Sequence, residues 1–244
     1  MISWKMKNDI AKGILTNGLA QVSIKVIRVI DQLLLVPFFL LYWGASYYGE
    51  WLTLSIIPSI LGFSDLGVGT SAANSFVLAY AAGNRQQAAN IRRSGLLIIS
   101  FAVLFGTVLT ILILFITNEL NLFEKSLISA NEAITAVSLL MIAKLVYFYN
   151  HFVEGCFRGA RKAALGAFLY SGYYVANILV GLCVLYGGGG VVGYAFSQFI
   201  VSISYTILYF IIGNKQIDLI GFNGHIVASD LKNILLKGLG YMMN

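Results

Sequence analysis

Six stretches of this chain are apolar for the length that crosses a lipid bilayer, and that limits the fold more than any other feature. A span needs about 20 mainly apolar residues, and residues 13–41, 51–82, 94–117, 133–156, 163–186 and 191–212 supply them. Lipid offers no partner to a free backbone N–H or C=O, so a spanning segment is a helix or a strand of a closed barrel. A barrel would show short alternating segments with frequent turns. Here the runs are long and only two prolines interrupt them. The chain reads as an all-α integral membrane protein, a six-transmembrane-helix bundle. Composition agrees: 59% of the 244 residues are hydrophobic and 11% charged, whereas soluble domains carry about 25% charged residues.

The basic residues between the runs set an orientation. Lys5, Lys7 and Lys12 precede the first run, and Arg85, Arg92 and Arg93 lie between the second and third. Arg158, Arg161 and Lys162 lie between the fourth and fifth; Lys215, Lys232 and Lys237 follow the sixth. All twelve fall in alternate connections, while the opposite set holds Lys125 beside Glu50, Glu119, Glu124 and Glu132. Lysine and arginine mark the cytoplasmic side, so both termini are expected there. The net charge of +6 then reflects topology and contact with anionic membrane lipids, and calls for no nucleic acid.

The first run carries an anomaly. Within NGLAQVSIKVIRVIDQLLLVPF, residues 17–38, Lys25, Arg28 and Asp31 occupy the middle of the span. At 100° per residue Asn17, Gln21, Lys25, Arg28 and Gln32 form one polar stripe, at steps of 4, 4, 3 and 4. Three central charges cost about 8–10 kcal/mol on the insertion scale, against about 5–9 kcal/mol returned by the apolar residues. The stripe is therefore expected to face other helices or a water-filled cavity. Asp65, in the second run, is a candidate partner. The fourth run adds a line of Lys144, Tyr147, His151 and Glu154 at steps of 3, 4 and 3. Lys25, Arg28 and Lys144 outnumber Asp31 and Asp65, and an excess cation at mid-depth suits an anionic substrate. The two carboxylates are candidates for ion coupling or for orienting the cations.

Other motifs carry less. Gly67 to Ala72 fits a G-x-G-x-x-A nucleotide fingerprint by letters but has no βαβ context, so its small residues are expected to serve helix approach or a kink. Gly155 and Gly159 form a G-x-x-x-G packing pattern. Gly187–Gly190 reads as a turn without the residues of a phosphate loop. Cys156 and Cys183 read as small packing residues. Tyr170, Tyr173 and Tyr174, with Asn177, can line a cavity or sit at the membrane interface. No catalytic triad, carboxylate pair, metal spacing or cofactor motif lies in a connecting loop, so the reading is of a non-enzyme without a cofactor.

The domain reading is a six-helix lobe over 1–213, an amphipathic linker at the cytoplasmic interface over 214–229, and the start of a second lobe over 230–244. Lys12, Ile14, Leu15, Gly18 and Leu19 recur at an offset of 220 as Lys232, Ile234, Leu235, Gly238 and Leu239, as a repeated bundle would show.

Residues 47–95 resemble the corresponding region of bacterial O-antigen and polysaccharide flippases. These Wzx-type proteins belong to the multidrug/oligosaccharidyl-lipid/polysaccharide exporter superfamily. The likeness rests on Tyr48-Gly49-Glu50-Trp51, on Asp65-Leu66-Gly67-Val68-Gly69, on the basic loop that follows, and on HFVEGCFRGARKAALG over 151–166. It implies two six-helix lobes around a cationic cavity that opens alternately to either side of the bacterial inner membrane. The implied cargo is a polyprenyl-pyrophosphate-linked oligosaccharide, an O-antigen or capsule unit of lipopolysaccharide or polysaccharide biosynthesis. Lys25, Arg28 and Lys144, with Asn17, Gln21 and Gln32, would line its path, and Asp31 and Asp65 would orient it or couple ions. The implied partners are the lipid-linked glycan, membrane lipids, a second lobe or chain, and polysaccharide polymerase machinery. The superfamily's multidrug/cation antiporters are the alternative, as is a membrane scaffold that transports nothing.

Overall fold

The computed structural model describes residues 4–61, 67–120 and 126–242. Regular structure among them is helical throughout: α1 Trp4–Leu61, α2 Val68–Ala81, α3 Arg85–Glu119, α4 Ala130–Gly159, α5 Ala163–Tyr186, α6 Val191–Gln216 and α7 Ala228–Met242. Helices α3, α4, α5 and α6 are each long and apolar enough to cross a membrane, and the spans expected over 94–117, 133–156, 163–186 and 191–212 lie within them. The chain is a multi-pass membrane protein.

The first two expected spans are cut differently. Helix α1 continues past residue 41 and breaks at Gly44, where φ is 75° and ψ 165°, before running on to Leu61. The expected second span, 51–82, is shared between the end of α1 and α2. Gly67, at φ 64°, caps the start of α2. Both breaks use glycine at a positive φ that L side chains avoid, and neither disturbs the apolar run that marked the span.

Helix α4 sits at the centre, packed on α6, α2, α3 and α1, while α5 bridges α1 and α6. Small residues let α2 approach: Ser71, Ala72 and Ala73 are buried, and Gly155 and Gly159 of α4 lie against Ala73, Phe76 and Tyr80. The G-x-x-x-G pattern is thus a packing seam. Cys156 is buried, Cys183 is exposed, and the two are not bonded to each other.

Where α1 breaks, Tyr194 meets Phe39 and Trp51 edge to face, Trp43 meets Trp51 in the same way, and Phe39 and Trp43 pack tilted; Trp43 Nε1 donates to Gly189 O at 2.9 Å. One residue before Trp51, the Glu50 carboxylate accepts from the backbone N–H of Leu127 at 2.8 Å and of Ile128 at 3.0 Å, and from the Ser126 hydroxyl. It thereby holds the approach to α4, whose own first turn is closed by a Ser129–Glu132 capping box. The Leu127 N–H, then the Ser126 hydroxyl, hold the Glu50 carboxyl below the usual carboxylate range. A depressed carboxyl contributes stability above its unfolded pKa and loses it as pH falls through its folded value. Replacing Glu50 with Ala is expected to lower stability by about 1–2 kcal/mol, the size of a lost helix cap. Thermal unfolding at neutral pH checks this, and the wild type and the variant should converge once acid protonates Glu50.

After α6, within the linker expected over 214–229, residues 217–227 run as an irregular strap tied to the ends of α2 and α3. Tyr80 OH accepts from Asp218 N–H at 2.9 Å, Gln86 Nε2 donates to Asn223 O at 2.8 Å, and Arg93 Nη1 donates to Gly224 O at 2.9 Å. Asn90 Oδ1 accepts from His225 N–H at 2.8 Å. Backbone held by side chains in this way has no need of helical bonds. The apolar residues Ile220, Phe222 and Ile226 remain exposed. Helix α7, read above as the start of a second lobe, packs on α2 and α3, with Ile234 buried and Ser71 Oγ donating to Ile234 O at 2.8 Å.

Candidate functional site

The polar stripe of α1 meets α4, α5 and α6 around a cavity of about 320 Å³. Lys25 and Arg28 enter it from α1; Tyr147, Asn150, His151, Glu154 and Arg158 from α4; Tyr170 from α5; Tyr205 and Tyr209 from α6. The stripe therefore faces inward at these two positions, as the cost of charge in lipid requires. Three fixed cations face one carboxylate among the lining residues.

Arg28 is held by tyrosines. Its guanidinium carbon lies 4.9 Å from the centre of the Tyr174 ring, and Nη2 donates to Tyr170 OH at 3.4 Å. The hydroxyls of Tyr170 and Tyr174 are 2.8 Å apart. A cation over an aromatic face is attracted without being neutralised, so Arg28 is positioned yet keeps its charge. Below it, Asn150 Nδ2 donates to Thr206 Oγ1 at 2.9 Å, while the buried Asn150 Oδ1 has no hydrogen-bond partner. That oxygen can accept from a ligand hydroxyl or a water.

Lys144 is separated from this group. It lines a second cavity of about 170 Å³ with Tyr147, Tyr170, Tyr173, Tyr174, Gln198 and Ser202. Tyr147 and Tyr170 border both spaces, with ring centres 6.2 Å apart. The three cations expected to act together thus fall on two sides of a tyrosine wall. Asp31 is half-buried and Gln32 exposed, and neither lines either cavity. Asp65 and the side chains of Asn17 and Gln21 lie outside the described residues.

Two kinds of residue escaped the sequence reading. Arg158 was counted with the loop that sets orientation, yet it extends the α4 line by one further step of four and reaches the cavity. Tyr205 and Tyr209 lie one turn apart in an otherwise apolar helix, where nothing distinguishes a cavity wall from a membrane-interface residue.

No protein-family model and no curated protein matches the chain. Solved structures do. An inward-facing multidrug resistance MATE family transporter of the MOP superfamily matches 76% of this chain and 43% of its own, at 19% identity and a TM-score of 0.63. An outward-facing one matches 95% and 52%, at 17% identity and a TM-score of 0.63. A MOP superfamily transporter from Pyrococcus furiosus, described as having a binding pocket of reversed polarity, matches 95% and 52%, at 18% identity and a TM-score of 0.67. The chain shares the fold of these transporters. It spans about half the length of the solved structures it matches.

Proposed function

We propose that this chain is a six-span lobe of an alternating-access exporter that moves an anionic, lipid-linked oligosaccharide across the bacterial cytoplasmic membrane, working with a second lobe or chain. Both termini would lie on the cytoplasmic side, where the basic connections belong. The single observation that carries the reading is the cavity in which, among the described residues, Lys25, Arg28 and Arg158 face Glu154 as the one lining carboxylate. A pyrophosphate suits two arginines and a lysine, because guanidinium groups fit phosphate oxygens in pairs. The unpartnered Asn150 Oδ1 suits a hydroxyl-rich sugar beside it. Lys144, behind the tyrosine wall, would serve a later station, and Asp31 and Asp65 would orient the cations or couple ions.

A multidrug antiporter is the second reading. The half-length fold match to multidrug resistance transporters favours it, as do the tyrosine faces, which also accept organic cations. Binding to the chain held in lipid nanodiscs separates the two. Polyprenyl pyrophosphate is expected to bind and ethidium is not. Ethidium binding with no response to the pyrophosphate lipid would overturn the flippase reading in favour of the antiporter.

A further inference from the structure

The inference rests on the anion-binding reading of the cavity and concerns its one carboxylate. We propose that Glu154 is a built-in counter-anion, which holds Arg158 when the cavity is empty and yields it to the anionic group of the ligand. Glu154 follows His151 by three residues and precedes Arg158 by four, so all three share one face of α4. Arg158 is anchored from the other side, where Nη2 donates to Asn74 Oδ1 of α2 at 3.0 Å. Its Nε is buried and has no hydrogen-bond partner. The Glu154 carboxylate stands 3.7 Å from that Nε, near enough to offset the charge and too far for a hydrogen bond. Glu154 is 57% exposed and Arg158 37%, and an exposed pair at that length holds weakly. The arginine is thus fixed in place with a donor left open, and the carboxylate beside it is free to turn away.

The groups that face Glu154 across the cavity are Lys25 and Arg28 from α1, His151 and Arg158 from its own helix, Tyr170 from α5, and Tyr205 and Tyr209 from α6. Among the described residues no second carboxylate lines the space to share the task. An entering anion competes with Glu154 for the same cations. Binding therefore requires that the carboxylate swing out. The arrangement also lowers the cost of an empty cavity, since neighbouring like charges repel when no ligand is present.

The test uses sulfate, titrated calorimetrically into the nanodisc-held chain at neutral pH. Glu154→Gln is expected to bind about tenfold more tightly than the wild type, as loss of a nearby like charge predicts. In an Arg158→Ala background Glu154→Gln should bring little gain, a coupling that a merely structural residue would not produce. An unchanged unfolding temperature shows that Glu154→Gln leaves the fold intact. If Glu154→Gln matches the wild type in affinity, the counter-anion role is overturned while the anion cavity stands. If no variant binds sulfate or polyprenyl pyrophosphate at all, both readings fall together.

Discussion

Gly155→Leu is expected to destabilise the chain by about 3 kcal/mol or more, which is a large share of the stability a folded protein has to lose. A Cβ at this position would lie 2.8 Å from Ala73 Cβ, 2.9 Å from Ala73 Cα and 3.0 Å from Ala73 O. Two of these three atoms are backbone, so the clash cannot be relieved by turning a side chain. Helices α2 and α4 would have to separate, which would also strip contacts from Phe76 and Phe152, both fully buried at the same seam. Membrane helices associate through close packing rather than through exclusion of water, so a widened seam has little to replace what it loses. Thermal unfolding in nanodiscs measures the effect. Ala73→Gly in the same chain should restore part of it, because one of the three contacts disappears. Gly172→Ala provides the contrast, since a Cβ there meets nothing within 4 Å, and its unfolding temperature should not fall. An unchanged unfolding temperature in Gly155→Leu would show that the two helices do not meet as described.

Arg28→Ala is expected to weaken binding of polyprenyl pyrophosphate by about tenfold to hundredfold, the range for a lost charge-assisted hydrogen bond in a partly desolvated site. The insertion and unfolding temperature of the variant should change little, because Arg28 is exposed to the cavity and contributes no core packing. Arg28→Lys should recover part of the affinity but not all, since lysine keeps the charge and loses both the paired donors and the stacking on Tyr174. Lys144→Ala should cost less than Arg28→Ala, because Lys144 lies beyond Tyr147 and Tyr170. Equal losses for Lys144 and Arg28 would mean that the wall does not divide the site.

The parts of this molecule that were legible in its sequence are those where one physical term dominates. Helices α3 to α6 announced themselves because an apolar run of their length has no other place to go. The inward face of Lys25 and Arg28 followed from the cost of charge in lipid, and Tyr147, His151 and Glu154 from their shared helical phase. What stayed hidden depends on a single dihedral or on an unrelated helix. Gly44 breaks α1 and Gly67 caps the start of α2 inside apolar sequence that does not mark either position. The strap over 217–227 looked amphipathic from its composition, yet its conformation is set by Tyr80, Gln86, Asn90 and Arg93, more than 120 residues earlier. Lys144 shares a helical face with Tyr147, but the ring of Tyr170 arrives from α5 and closes the space between Lys144 and the other cations. Glu50 belonged to a recognisable run of residues, and its task became visible only when the segment before α4 folded back onto it.

The tyrosine wall has a consequence for time as well as for place. On the proposed reading, an anion resting against Lys25 and Arg28 would reach Lys144 past Tyr147 and Tyr170, which border both cavities, and Tyr170 is tied to both Arg28 and Tyr174. Packed aromatic rings turn when their surroundings breathe, on scales set by collective helix motion rather than by diffusion of the ligand. The interval between the two basic stations would then follow how often the bundle loosens around two rings. Strengthening the cations at either end would change how long an ion waits, and leave the frequency of crossing to the tyrosines.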